Sequence, residues 1–148
     1  MAERYKQILV AYDGSEQAGD ALEEAAVIAK HDNSKLVILY VFESDALLTS
    51  TNPAVLTALE THHQEEVEML KKILQKKIER AALPETHTVK LLTVRGRAKH
   101  EILTTAQKEN VDLIVMGATG THAVERAFVG STTAYVVNHA QCHVLVVR

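Results

Sequence analysis

Three glycines and a run of hydroxyls raise the first chemical question. Gly117, Gly120 and Gly130 are spaced Gly-x2-Gly-x9-Gly, and Ser131, Thr132 and Thr133 follow the last of them. A chain uses glycine where its backbone must bend sharply or come close to something else. A helix opening at Gly130 leaves the amides of its first turn without partners inside the helix. Such a terminus attracts anions through those N–H groups and its partial positive charge, and the three hydroxyls can add donors. Phosphate suits this pattern; in the plainer reading the glycines only make turns. Two common nucleotide motifs are absent. No G-x-x-x-x-G-K-[ST] occurs, and the segment after the first apolar run reads AYDGSEQAG instead of G-x-G-x-x-G.

Asp13 is the second residue of chemical interest, a carboxylate at the end of an apolar run. It can accept hydrogen bonds from a nucleoside or hold a divalent ion that bridges to phosphates; otherwise it is a turn residue in Asp-Gly. Val41 ends another apolar run and offers main-chain groups and an apolar surface to a flat base. The histidines carry less. His62-His63-Gln64-Glu65-Glu66 lacks the H-E-x-x-H spacing and reads as a solvated helix face. His139, Cys142 and His143 lack a second ligand pair with zinc spacing, and Cys142 reads as a small buried residue.

The elements that must position these residues follow from the apolar runs ILVAY (8–12), LVILYVF (36–42), LIVM (113–116) and VLVV (144–147). They are continuous and rich in β-branched residues, as in strands covered on both faces of a parallel sheet. THTVKLLTV (86–94) mixes polar and apolar residues and reads as an edge strand. Ser15 is an N-cap for a helix that turns Ala18, Ala21, Leu22, Ala25, Ile28 and Ala29 inward. Asn52-Pro53 opens a second helix, expected to bury Leu56, Leu59, Val67, Leu70, Leu74 and Ile78 and to stop at Pro84. Residues 98–109 form a third helix on Ile102, Leu103 and Ala106; a fourth, from about 131 to 140, offers Ala134, Val136 and Val137 to the sheet.

Strand and helix alternate through five strands and four helices, which implies an α/β fold with a parallel, doubly wound sheet in the order 3-2-1-4-5. Ligands of such sheets sit beyond the carboxyl ends of the strands, where the winding reverses. Here those ends are Asp13-Gly14-Ser15 and Gly117-Ala118-Thr119-Gly120. The 148 residues form one domain, 1–148, and their net charge of −3 argues against a nucleic-acid binder. A single cysteine fits a reducing compartment. The N-terminal segment is too polar for a signal peptide and no run reaches the length of a membrane span, so a cytoplasmic location is expected.

The chain resembles the universal stress protein family along essentially its whole length. The likeness rests on KQILVAYDGSEQA, on VRGRAKHEIL, and on LIVMGATGTHAVERAFVGSTTAYVVNHAQCHVLVVR, whose Gly-x2-Gly-x9-Gly-Ser is the pattern of the ATP-binding branch. The resemblance implies a Rossmann-like fold of the adenine nucleotide alpha hydrolase type. It also implies ATP at the reversal point, commonly with Mg2+ or Mn2+, in a homodimer. Asp13 and the backbone at Val41 would then hold the adenosine, with Asp13 also a ligand for the metal. Gly117 and Gly120 would lie along ribose and phosphates, with Gly130, Ser131 and Thr132 on the phosphates, and Ala11, Tyr12, Met116 and Thr133 would complete the nucleotide site. Two positions depart from the family. Thr119 stands where a basic residue is frequent, leaving Arg126 or His122 to supply positive charge, and His143 stands where proline is common.

Three functions stay open at this level. The first is an ATP-binding stress-response module whose bound nucleotide acts as a signal. The second is a slow ATPase or phosphotransfer enzyme, although no arginine finger or catalytic base is evident. The third is a nucleotide-free dimeric interaction protein. In the dimer, the last strand, Val144, Leu145, Val146 and Val147, pairs across a twofold axis. Residues 43–52 read as a lip over the nucleotide.

Overall fold

The central strand β1 (Gln7–Ala11) lies between two parallel neighbours, β2 (Lys35–Glu43) and β4 (Leu113–Gly117). β3 (Val89–Gly96) pairs outside β2 and β5 (His143–Val147) outside β4, which gives the order β3-β2-β1-β4-β5. In this computed structural model the described residues are 4–43, 51–121 and 128–148. The expected order and the edge position of β3 are therefore observed. Ile8, Leu9 and Val10 of β1 are fully buried, because both faces of the sheet are covered. Side chains alternate between the faces, so this cover explains why the runs are continuously apolar.

α1 (Glu16–Asp32) and α2 (Pro53–Arg80) cover one face; α3 (Ala98–Lys108) and α4 (Ser131–His139) cover the other. Five alanines, Ala18, Ala21, Ala25, Ala26 and Ala29, are buried along α1 and let its backbone approach the sheet closely. Leu22 of α1, Ile38 of β2 and Val115 of β4 complete that core. Each such larger side chain contributes roughly 1.5–3 kcal/mol by leaving water. Ser15 caps α1 by accepting the Ala18 N–H, and Asn52 caps α2 by accepting the Ala54 N–H, as their sequence positions suggest. Among the described residues no helix is long and apolar enough to cross a membrane.

Two helices differ from expectation. Leu70 and Leu74 are the buried residues of α2; Leu59, Val67 and Ile78 are half-buried, and Leu56 is exposed. A helix of this length runs about 42 Å, farther than the strands beneath it, so an apolar stripe near its start has no sheet to meet. The helix also ends at Arg80, ahead of Pro84, with Ala82 in a left-handed conformation (φ 53°). In α4 the sheet-facing position belongs to Val136, fully buried, and its neighbour Val137 is turned outward, 49% exposed. Successive helical residues are rotated by about 100°, so the two valines cannot share a face.

Two carboxylates secure the entry to β1. Asp32, buried at the end of α1, accepts the N–H groups of Arg4 (3.2 Å) and Tyr5 (3.0 Å). Asp112, just before β4, accepts those of Lys6 (2.8 Å) and Gln7 (3.1 Å). The His31 ring nitrogen Nδ1 lies 2.7 Å from Asp32. That side-chain hydrogen bond, followed by those from Tyr5 and Arg4, holds the Asp32 carboxyl below its ordinary value of 3.8. A lowered native value means stabilisation that is complete above the ordinary value and is lost as pH falls through the native one. Asp32→Asn is therefore expected to melt below wild type at neutral pH, with a gap that closes as the pH drops below 3.8. Thermal melts across that range check this, and a gap independent of pH would contradict it.

Candidate functional site

β1 and β4 end side by side, and the helices that follow them diverge from there: α1 packs on one face of the sheet and α4 on the other. The result is a cleft of about 740 Å³. All eleven residues singled out from the sequence line it: Ala11, Tyr12, Asp13, Val41, Met116, Gly117, Gly120, Gly130, Ser131, Thr132 and Thr133. Leu39, Ile102 and Ala98 add apolar wall, and Phe128 and Val129, both exposed, form an apolar rim. The cleft is thus apolar toward β2 and α3, and rich in main-chain groups and hydroxyls toward α4.

At the β1 end, Tyr12 still donates its N–H to the Leu39 carbonyl (2.9 Å) after the strand has ended. The chain then turns at Gly14, whose φ of +86° strongly favours glycine. Asp13 Oδ1 accepts the Ser15 N–H at 2.9 Å, which fixes the carboxylate at the cleft edge while leaving it exposed to solvent. Burial raises the Tyr12 hydroxyl above its usual value, and the charge of Asp13 adds to the effect, so the phenol is neutral at physiological pH. Tyr12, Tyr40, Phe42 and His63 form a succession of ring contacts from this end of the cleft to α2. His63 thereby differs from the solvated reading of the histidine pair; His62 fits that reading, facing water beside Glu66.

At the β4 end, the glycines have separate causes. A side chain at Gly117 would place Cβ 2.9 Å from Gln17 Cβ and 3.1 Å from the Gln17 carbonyl carbon, so this glycine exists to let β4 touch the first turn of α1. A Cβ at Gly120 would lie 2.8 Å from Asp13 Oδ2, so the loop passes directly over the carboxylate. At Gly130 the nearest atom would be the Ala118 carbonyl oxygen at 3.4 Å, an ordinary contact. Gly130 gives its N–H to that same carbonyl (2.7 Å), so its amide is not available to a ligand as the sequence suggested. The Thr133 hydroxyl is likewise committed, donating to the Gly117 carbonyl at 2.8 Å. What remains for an anion is the first turn of α4. Its cap, Gly130, has no side chain to bond there, Ser131 and Thr132 both line the cleft, and a first helical turn leaves its N–H groups without partners inside the helix.

Gln17 was not evident from the sequence. Its side-chain oxygen accepts both the Thr119 N–H (2.8 Å) and the Thr119 hydroxyl (2.9 Å), which ties the middle of the glycine loop to α1. Glu43 was also missed. It lies at the end of β2, lines the cleft, and accepts the Ala98 N–H at 3.2 Å to cap α3. Its signal was its place two residues beyond Val41 on the same strand face. The described lining holds two carboxylates, Asp13 and Glu43, and no lysine, arginine or histidine. His122 and Arg126, read as sources of positive charge, and residues 44–50 of the expected lip lie outside the described residues. Cys142 is half-buried, and that burial, with Asp112 nearby, raises its thiol and keeps it protonated.

The model of the universal stress protein family matches residues 4–148. The chain belongs to the universal stress protein family. A Staphylococcus aureus protein named as a universal stress protein is 36% identical over 146 residues, covering 97% of this chain and 84% of that one. The universal stress protein UspA of Lactobacillus plantarum superposes with a TM-score of 0.82 at 37% identity, over 98% of this chain and 99% of its own. A universal stress protein solved in complex with cAMP shares the fold, with a TM-score of 0.71 at 20% identity over 97% of each chain. The five-stranded order of this universal stress protein is thus that of its relatives.

The geometry separates two glycines of the loop by their effect on stability. Gly117→Ala is expected to cost about 2–3 kcal/mol through overpacking against α1, whereas Gly130→Ala should cost no more than about 1 kcal/mol, the weaker N-cap preference of alanine. Urea unfolding followed by circular dichroism measures both, and equal losses would contradict the assignment of Gly117 to packing.

Proposed function

We propose that this universal stress protein binds ATP in the cleft between β1 and β4 and acts as a nucleotide-dependent regulatory module of a stress response. One observation carries the reading: α4 opens into the cleft with its capping position empty of side chain, across from an ordered carboxylate at Asp13. A helix start of this kind favours phosphate through its free donors and dipole. The apolar wall from Leu39, Val41, Ile102 and Met116 suits a flat base. The relative solved with cAMP supports an adenine nucleotide as the ligand class. Asp13 suits the 2′- and 3′-hydroxyls of a ribose or, with phosphate oxygens, a Mg2+ or Mn2+ ion. The carboxylate fits such an ion as one ligand only, since no group of three or more metal-ligating side chains occurs among the described residues. The ion's chemistry there would be charge neutralisation of the polyphosphate.

The donor arrangement gives a sharp test. Proline is accepted at the first position of a helix, and Gly130 before it has ψ 159°, which a following proline tolerates. Ser131→Pro therefore removes an amide donor and a hydroxyl while keeping α4. By calorimetry, ATP affinity should fall roughly 10- to 100-fold, as for lost hydrogen bonds to a charged group, and adenosine affinity should hold. Unchanged ATP binding with an intact helix would overturn the reading.

The module is a homodimer through β5, in a cytoplasm whose reducing conditions fit one protonated cysteine. β5 is an edge strand, with Leu145 36% exposed. Val147 gives its carbonyl to Ala118 on the inner side. Residues alternate along a strand, so the main-chain groups of Val144 and Val146 face the open edge. Two such edges pair across a twofold axis and satisfy each other. Val146→Pro removes an outward donor and leaves the bonds to β4. The expected result in light scattering is half the wild-type mass, and an undiminished dimer would exclude this interface.

A further inference from the structure

The described lining of the cleft carries two carboxylates and no cation, yet the ligand proposed for it is a polyanion. A cation stands just outside that lining. Lys99, in the first turn of α3, follows the cleft residue Ala98 and extends across to α4, where its ammonium nitrogen lies 5.0 Å from the centre of the Tyr135 ring. Tyr135 is one helical turn beyond Ser131 and on the same face of α4. The ring is itself fixed, stacked on His139 at 4.0 Å and met edge-on by His100 at 5.4 Å. A cation over an aromatic face is held weakly when partly hydrated, and a lysine stem is flexible enough to re-aim its charge.

We propose that Lys99 is a phosphate-charge specificity residue: parked on Tyr135 in the free protein, it turns to the phosphate tail at the start of α4 when nucleotide binds. The proposal rests on the reading of the cleft as a nucleotide site. It gives the cleft a graded preference, because a single mobile ammonium one turn from Ser131 contributes more as the phosphate chain lengthens. AMP gains little from it, and ATP gains most. Arg97 is the natural comparison, since it is exposed at the position before Ala98 and its side chain makes no capping bond.

Calorimetry with ATP, ADP, AMP and adenosine on wild type, Lys99→Gln, Lys99→Arg and Arg97→Gln tests this. In Lys99→Gln the dissociation constant for ATP should rise about two- to fivefold, the range of a partly exposed ion pair, with adenosine unchanged and ATP binding less sensitive to salt. Lys99→Arg should restore most of the difference, and Arg97→Gln should change little. Lys99→Gln with wild-type ATP affinity, or an equal loss in Arg97→Gln, overturns the proposal while the cleft reading stands. A uniform loss for adenosine and ATP assigns Lys99 a structural role and also overturns it. Failure of wild type to bind any of the four compounds removes the cleft reading, and this inference falls with it.

Discussion

The site depends on one close contact, that between the end of β4 and the first turn of α1. Gly117 lies so near Gln17 that no side chain fits between them. Two residues beyond Gly117, Thr119 gives its N–H and its hydroxyl to the side-chain oxygen of the same Gln17. Steric fit brings the two elements together, and a half-buried polar pair fixes their orientation. An unpaired Thr119 N–H there would be costly, so these bonds hold Thr119 against α1. Gly120 then passes over Asp13, and Ala118 receives the N–H of Gly130 at the start of α4. The β4 and α4 side of the cleft is thus referred back to α1.

With the walls fixed, the electrostatics follow. The described lining holds no lysine, arginine or histidine, and on the proposed reading an anion there would meet the oriented main-chain dipoles at the start of α4. Such dipoles act at short range and need no reorganisation, which suits binding and retention of a ligand. Hydrolysis asks for more, including neutralisation of charge that develops during the reaction and a positioned water. The cleft's described side chains are two carboxylates, neutral phenol and hydroxyls, several of them already engaged with the backbone.

The strands and their order were legible because two-sided burial imposes an unmistakable pattern: Ile8, Leu9 and Val10 read as they are found. The cleft lining was legible as well, since the reversal point and the glycine spacing converge on the same ends of β1 and β4. The reasons for individual residues were not. Gly117 and Gly120 are equivalent on paper, but one answers to helix packing and the other to a carboxylate. Thr133 reads as a donor to ligand and is found bonded to Gly117. Gln17 looks like any polar residue in a first helical turn; only the third dimension shows what its amide meets. Leu56 and Val137 were misread because periodicity tells which face is apolar without telling how far the opposing layer extends.

The pairing of β1 carries a consequence for how the protein comes into being. Its partner on one side, β2, follows soon in the chain, but its partner on the other, β4, arrives only near the C-terminal end. During synthesis the nascent chain therefore waits with the middle of its future sheet unpaired along one edge, since contacts between distant segments form late. Asp112, which closes the start of β1, and the loop that crosses Asp13 emerge with that last portion. The cleft at the ends of β1 and β4 is therefore complete only once this last pairing is made.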